Sequence, residues 1–316
     1  MAAYVLRRLL ALIPVLFVVS VTVFILIHLI PGDPAAVMLG SQATPEQLLQ
    51  LQQKLGLNEP LPSQFYHWIT NVLQGNMGQS LVSDKDVNTL IAERMPATLA
   101  LTLYSLVVSL LLAIPLGIIA AVKHSSSWDY SAMIIALIGI SIPNFWAALI
   151  LIIVFALHLG WFPATGYVEF TENVWLHLKH LTLPAISLGF IQAGVVTRMT
   201  RSSMLEVLRQ DYIRTIRAKG GSEPVIILKH ALKNAMIPIL TIVGLNFGLL
   251  LGGTVVVETI FSIPGIGSLV VNSVFNRDYP VIQGVILYIA FIYVIINLAV
   301  DLLYAYFDPK IDYSKG

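Results

Sequence analysis

At 316 residues, 57% hydrophobic and only 11% charged, with a mean hydropathy of +0.83, the chain has too little polar surface to fold in water alone; soluble domains carry about 25% charged residues. The bilayer must be the solvent for much of it. A net charge of +1 leaves no nucleic-acid footprint, and the lack of cysteine excludes disulfides, thiolate metal sites and cysteine nucleophiles.

Arg7 and Arg8 before a long apolar run look like the start of a signal peptide. The run over 9–30 is too long for one and lacks a small-residue cleavage site, so it reads as a retained first span. Pro31-Gly32-Asp33-Pro34 stops that helix sharply. Thr44-Pro45-Glu46-Gln47 is a capping box, and the helix it opens should end near Gly56. A second short helix fits 63–73, 75–80 is a loop, and a third helix over 86–94 should lead to Pro96 and the second span. Residues 31–97 thus read as a small helical lobe, too small to fold well alone.

Five further apolar runs, over 98–122, 131–159, 183–203, 237–257 and 281–306, are each long enough to cross about 30 Å of hydrocarbon. The expected fold is therefore all-α and integral to the membrane. It has six transmembrane helices and a helical extracytoplasmic lobe between the first and second. The expected divisions are 1–30, 31–97, a core of 98–306 containing a cytoplasmic loop at 206–236, and a tail of 307–316. Pro14, Pro115 and Pro143 interrupt spans where a kink or water-lined break is tolerated only inside a bundle. Gly244, Gly248 and Gly252 repeat every four residues in the fifth span, either for close helix packing or as a face that opens against a neighbour.

His28, Asn144, His158, Gln192, Asn246 and Asn297 are costly in lipid unless they face the interior. Singly, each reads as an interhelical hydrogen bond; together they suggest an uncharged polar path. Asp301, near the cytoplasmic end of the last span, would pair with a loop arginine. His177 and His180 lie one helical turn apart, but no third ligand is near and no metal site is assigned. Lysine and arginine placement sets the orientation. Arg7, Arg8, Lys123, the cluster from Arg198 to Lys233, Lys310 and Lys315 outnumber Lys54, Lys85, Arg94, Lys179 and Arg277 more than twofold, so both termini should be cytoplasmic.

The polar interruption from Arg209 to Pro238 organises the rest. It holds Arg209, Arg214, Arg217, Lys219, Lys229 and Lys233, a third of the chain's lysine and arginine. It reads as two short helices broken at Gly220-Gly221. Tyr212, Ile213, Ile216 and Gly220 form one apolar stripe, and Val225, Leu228, Leu232 and Met236 another. Ser222 should cap the second helix, with Pro224 in its first turn. Basic cytoplasmic loops are ordinary, but one that only sets orientation needs neither two amphipathic helices nor a glycine hinge. A docking surface for a cytosolic partner does.

Several stretches together resemble the permease subunits of bacterial ATP-driven importers for dipeptides, oligopeptides, nickel and glutathione. They are 31–34, Gly75-Asn-Met-Gly-Gln-Ser80, 197–206 continuing into Asp211-Tyr-Ile-Arg-Thr-Ile-Arg-Ala-Lys-Gly220, 229–238, Glu258-Thr-Ile-Phe-Ser-Ile-Pro-Gly-Ile-Gly267, Arg277-Asp-Tyr-Pro280 and Asp301-Leu-Leu-Tyr304. The resemblance implies that 214–220 stands in the place of the importers' coupling loop, which seats in a groove of an ATPase subunit. Asp211, Tyr212, Arg214, Arg217, Ala218, Lys219 and Gly220 would make that contact. The glutamate that opens the motif in sugar importers is Arg214 here, its second alanine is Ile216, and the family's leucine-proline ending is replaced by a longer run to Ile237-Pro238.

The resemblance further implies a second, homologous permease subunit, two cytosolic ATPase subunits and an extracytoplasmic substrate-binding protein, with no cofactor in this chain. Asn144, Gln192, Asn246, Gly244, Gly248 and Gly252 would line the translocation path. Asp33, Glu258, Pro264, Gly265, Gly267 and Asp278 would meet the binding protein. Its cargo leans toward short peptides, with nickel complexes and glutathione open. No G-x-x-x-x-G-K-[ST], G-x-S-x-G or H-E-x-x-H is present, which argues against an ATPase, serine hydrolase or zinc hydrolase in this chain. A secondary transporter would need mid-membrane ionisable groups, few here beyond histidines. A channel would need no coupling helices, and an intramembrane protease would need a catalytic pair. Inhibition of uptake by vanadate would separate an ATP-driven importer from all three.

Overall fold

The computed structural model describes residues 2–29, 35, 44–54 and 58–307. Among them the secondary structure is helical apart from one isolated bridge between Gln79 and Asp86. Asp33, the Pro-Gly-Asp-Pro stop, Gly56, Lys310 and Lys315 lie outside the described residues. The helices in chain order are α1 Ala2–Leu29, α2 Pro45–Lys54, α3 Leu61–Leu73, α4 Val87–Val122, α5 Ser127–Ser141, α6 Asn144–Leu151, α7 Val174–Leu208, α8 Asp211–Ala218, α9 Leu232–Ile260, α10 Ile266–Phe275 and α11 Tyr279–Phe307. Helix α6 widens into a π turn at Ile152–His158, and α9 is preceded by the turn Glu223–Val225 and a π turn at Ile226–Ala231.

Four of the described helices are long and apolar enough to cross a membrane: Val87–Val122, Val174–Leu208, Glu223–Gly248 and Tyr279–Ala299. The expected single span over 131–159 is instead Ser127–Ser141 and Asn144–His158, bent by 103°. Pro143 explains the break. A proline disfavours the α conformation in the residue before it, and Ile142 is extended at ψ 123°. Counted as one span, the pair makes a fifth; α1 adds an apolar stretch at Leu12–Ile25.

Pro96 does not end the helix as the sequence suggests, because α4 continues through it. Met95 packs against Val87, Leu90 and Ile91, while Ala97 and Leu101 anchor the next turns in a second cluster. Packing on both sides outweighs one missing backbone hydrogen bond. Pro14 and Pro115 likewise sit inside unbroken helices.

The chain divides into two compact units, 1–96 with 265–295 and 97–264 with 296–316. In the first, the described part of the expected lobe packs against the α10–α11 hairpin. Val87, Leu90 and Ile91 join Ile266, Val281 and Val285, and Val23 joins Tyr279 and Ile282. The Asp278 carboxylate accepts from the Ser80 hydroxyl at 2.5 Å and the Leu81 N–H at 3.0 Å, fixing the 75–86 loop. The capping box forms as expected: Thr44 Oγ1 accepts from Gln47 N at 3.3 Å and Gln47 Oε1 from Thr44 N at 3.0 Å.

In the second unit α7 is the central element. Leu181, Leu183, Ala185 and Leu188 join Leu101, Leu250, Val257 and Phe261, and further along Ala193, Val196 and Met204 join Ala113, Ile213, Ile226 and Ile239. Glycines let α5 and α7 touch backbone to backbone. A Cβ at Gly139 would lie 2.8 Å from the Phe190 carbonyl oxygen, and one at Gly194 would overlap the Ala136 carbonyl. Near the ends of these helices the Arg201 guanidinium grips Asp129 with two bonds, Nε to Oδ1 at 2.6 Å and Nη2 to Oδ2 at 2.8 Å.

Candidate functional site

The polar segment after α7 folds back on the root of α9. Its turn is a Schellman motif: Gly221 N donates to Ile216 O at 3.1 Å and Gly220 N to Arg217 O at 3.0 Å. That closure requires a left-handed residue after the helix, and Gly220 supplies φ +86°. Arg217 and Glu223 pair across the turn, with Nε–Oε1 2.5 Å and Nη2–Oε2 3.1 Å. Both side chains are about half exposed, so solvent screens the pair and it adds little to stability.

One residue seats α8. Ile213 is fully buried with Ile226, Ala231, Ala235 and Ile239, and Ile216 packs beside it. The other face turns outward: Asp211, Tyr212, Arg214, Arg217, Ala218, Lys219 and Gly220 are all exposed. Asp211 and Arg214 pair on that face at 3.3 Å. All seven expected coupling residues are thus exposed, Tyr212 with its hydroxyl turned toward Asn234.

Three local expectations are corrected. The second helix is not a separate short piece, because from Glu223 it continues through the π turn into α9. The Ser222 hydroxyl makes no capping bond, although Pro224 does occupy the first turn. Of the expected stripe Val225, Leu228, Leu232 and Met236, only Leu232 and Met236 pack inward, half-buried. Val225 and Leu228 are exposed, and the buried positions are Ile226, Ala231, Ala235 and Ile239. The step from Ile226 to Ala231 is the π turn's own five-residue hydrogen-bond spacing, so a 3.6-residue period carried across it picks the wrong face.

The expected path residues fall at two levels of α9. Gln192 is buried on α7 and donates Nε2 to the Asn246 carbonyl at 3.2 Å. Asn144, the first residue of α6, donates Nδ2 to the Gly253 carbonyl at 3.4 Å. Residues 246 and 253 are two turns apart, about 10 Å along the axis. Asn246 Nδ2 is buried without a hydrogen-bond partner. Gly244 is buried and Gly248 half-buried, whereas Gly252 is exposed, with no atom within 4 Å of where a Cβ would lie. The close approach is made by Gly253, whose Cβ would stand 3.3 Å from Leu188 Cδ2 and 3.6 Å from Asn144 Nδ2. Of the other polar residues read as inward-facing, His28 and His158 are exposed and Asn297 is half-buried. Both histidines stand at helix ends.

The expected outer contacts are mostly interior. Glu258 is fully buried and accepts from Thr98 Oγ1 at 2.6 Å, and its carbonyl caps the following turn by accepting from Ile263 N at 2.8 Å. Gly265, Gly267 and Asp278 are buried and Pro264 is half-buried. They shape the loops, and the exposed neighbours are Val274, Phe275, Asn276 and Arg277. His177 is buried against the edges of Tyr167 and Phe170 with Nδ1 on the Val168 carbonyl at 2.7 Å, and His180 Nδ1 binds the Leu176 carbonyl. No group of three metal-ligating side chains occurs among the described residues.

Sequence reasoning misses Asp129, Arg201 and Asn234. Asp129 is a carboxylate at a helix start in an apolar stretch, and that signal is visible in the sequence. Asn234 is hidden among the basic residues of its loop.

Two family models match most of the chain: the binding-protein-dependent transport system inner membrane component over residues 113–313, and the N-terminal part of such a membrane component over residues 1–102. The chain is 47% identical to the dipeptide transport system permease protein DppB of Alkalihalophilus pseudofirmus, over 99% of this chain and 100% of that one. It is also 47% identical, with the same coverage, to the glutathione transport system permease protein GsiC of Escherichia coli. A putative peptide transport system permease of Brucella suis is 42% identical over 99% of this chain and all of its own length. Among solved structures the fold is similar to a chain of the MetNI methionine ABC transporter in inward-facing form. There the TM-score is 0.58 at 18% identity, covering 69% of this chain and 96% of that one.

Proposed function

The chain belongs to the family of binding-protein-dependent transport system inner membrane components, and on that premise we propose that it is the permease subunit of an ATP-driven importer of short peptides. The family match and the apolar helices make it a multi-pass membrane protein. The dipeptide and glutathione names of its relatives support the cargo, glutathione being itself a tripeptide. Its working assembly is this chain, a second homologous permease, two cytosolic ATPase subunits holding ATP and Mg²⁺, and an external binding protein. Six spans, with a lobe at 31–97, a core at 98–306 and a tail at 307–316, rest on the apolar runs, and the lysine and arginine distribution would put both termini in the cytoplasm and the lobe outside.

The observation that carries this reading is α8. One buried isoleucine and a left-handed glycine hold it so that Asp211, Tyr212, Arg214, Arg217 and Lys219 face outward. Exposed Val225 and Leu228 adjoin it, giving an ATPase groove both charge and apolar area to grip. ATP binding closes the ATPase pair, α8 follows, and α9 repacks against α6 and α7 to switch access. The exposed Gly252 suits contact with the second permease rather than with this chain.

Gly220→Val tests the assignment. Nothing lies within 4 Å of an added Cβ, so the substitution acts only through φ, where a β-branched residue is strained by about 1–3 kcal/mol. Reconstituted with its ATPase subunits, the variant should insert and hydrolyse ATP but take up labelled dipeptide at least tenfold more slowly. Normal uptake would remove the coupling role, and uptake driven by an ion gradient without ATPase subunits would remove the importer reading altogether.

Asn246→Leu tests the path. A buried donor without a partner costs about 1–3 kcal/mol, so the leucine variant should melt several degrees higher in detergent. Peptide uptake should fall severalfold, because the path loses a donor for a peptide carbonyl. A variant that is stabilised yet transports normally would make Asn246 a packing residue only.

A further inference from the structure

The hairpin formed by α8 and the root of α9 is tied at both ends. At the turn, Arg217 binds Glu223. At the far end, Asn234 Nδ2 donates to the Tyr212 hydroxyl oxygen at 2.7 Å and to the His230 carbonyl at 3.1 Å. The Tyr212 hydroxyl in turn lies 3.4 Å from that carbonyl. Between the two ties sits the π turn Ile226–Ala231, and beneath it the apolar seam of Ile213 with Ile226, Ala231 and Ala235.

A π turn holds one residue more than the α-helix it interrupts, so it is a place where a helix can change register. Left alone, a push on α8 would be absorbed there. We infer that Asn234 is a positioning residue for transport: by holding Tyr212 of α8 and the His230 carbonyl of the π turn together, it makes α8 and the root of α9 a single lever. Ile213 beside Tyr212 and Ala235 beside Asn234 are both fully buried, so the two side chains start from fixed backbone positions and little freedom is lost in joining them. The Arg217–Glu223 pair cannot substitute, since it lies on the other side of the π turn and leaves that turn free to shift register.

The inference rests on the importer reading and is tested on the assembled complex in proteoliposomes, by peptide moved per ATP hydrolysed. The chain has no cysteine, so the double variant Tyr212→Cys, Asn234→Cys carries a unique thiol pair. With thiols reduced, the ratio should fall at least threefold. Joining them with a short bis-methanethiosulfonate linker should restore it to within twofold of wild type. An unchanged ratio in the reduced state, or a ratio that stays low once linked, overturns the proposal.

Should the double variant fail to assemble, Asn234→Leu alone decides: a ratio at least threefold lower supports the lever, and a normal ratio refutes it. Asn234→Gln, which keeps the donor, should recover part of the loss. A wild-type complex that hydrolyses ATP without moving peptide would refute the transport reading instead, and so is distinguishable.

Discussion

Arg201→Met should destabilise the protein by about 3–5 kcal/mol, a large part of a typical folding free energy of about 5–15 kcal/mol. Asp129 is 1% exposed, and without Arg201 its carboxylate keeps only the Ser125 N–H at 3.0 Å. Removing one member of a buried pair leaves the other charge without compensation, which is worse than removing both. Asp129→Asn should therefore cost less than Arg201→Met, and Asp129→Leu with Arg201→Met should recover most of the loss. Arg201 is 25% exposed, which places the expected value toward the lower end of the range. Thermal unfolding in detergent for the two single variants and the double closes the cycle. Independent, additive losses would mean that the pair does not hold α5 to α7.

Gly194→Val should prevent recovery of folded protein. A Cβ there overlaps the Ala136 carbonyl oxygen and lies 2.8 Å from Ile140 Cγ1, so the obstacle includes backbone that cannot rotate away. Overpacking ordinarily costs about 1–3 kcal/mol, when side chains can yield; here α5 itself must move off α7. The displacement would also disturb the second contact of the same kind, where Gly139 meets the Phe190 carbonyl. Gly252→Val is the control. No atom lies within 4 Å of its Cβ position, so the isolated chain should run as a single gel-filtration peak while Gly194→Val aggregates. Equal recovery of the two would show that helix spacing in this bundle is not set by the glycines of α5 and α7.

Local signals suffice where one turn decides the outcome. The Thr44 capping box and the left-handed Gly220 follow from residue chemistry within a few positions, and the chain has both. Face assignment fails where a helix departs from 3.6 residues per turn. A regular period puts Val225 and Leu228 inside, because the π turn at Ile226–Ala231 leaves no mark in composition. Prolines mislead in both directions. Pro96 has the look of a helix end, yet α4 continues through it; Pro143 has the look of a kink in one span and divides it at 103°. The difference lies in packing on either side of the ring, not in the ring.

The all-helical, membrane-embedded character, the family and the basic segment were legible from residues alone, because hydropathy and motif order act over short stretches of chain. Which residues in those motifs are surface and which are framework depended on long-range packing. Asp278 and Glu258 are interior because Ser80, 198 residues away, and Thr98, 160 away, come to meet them. Asp129 matters because Arg201 lies 72 residues on and arrives beside it. A buried charge is tolerated only when a distant partner is brought to it, and no local pattern encodes that arrival.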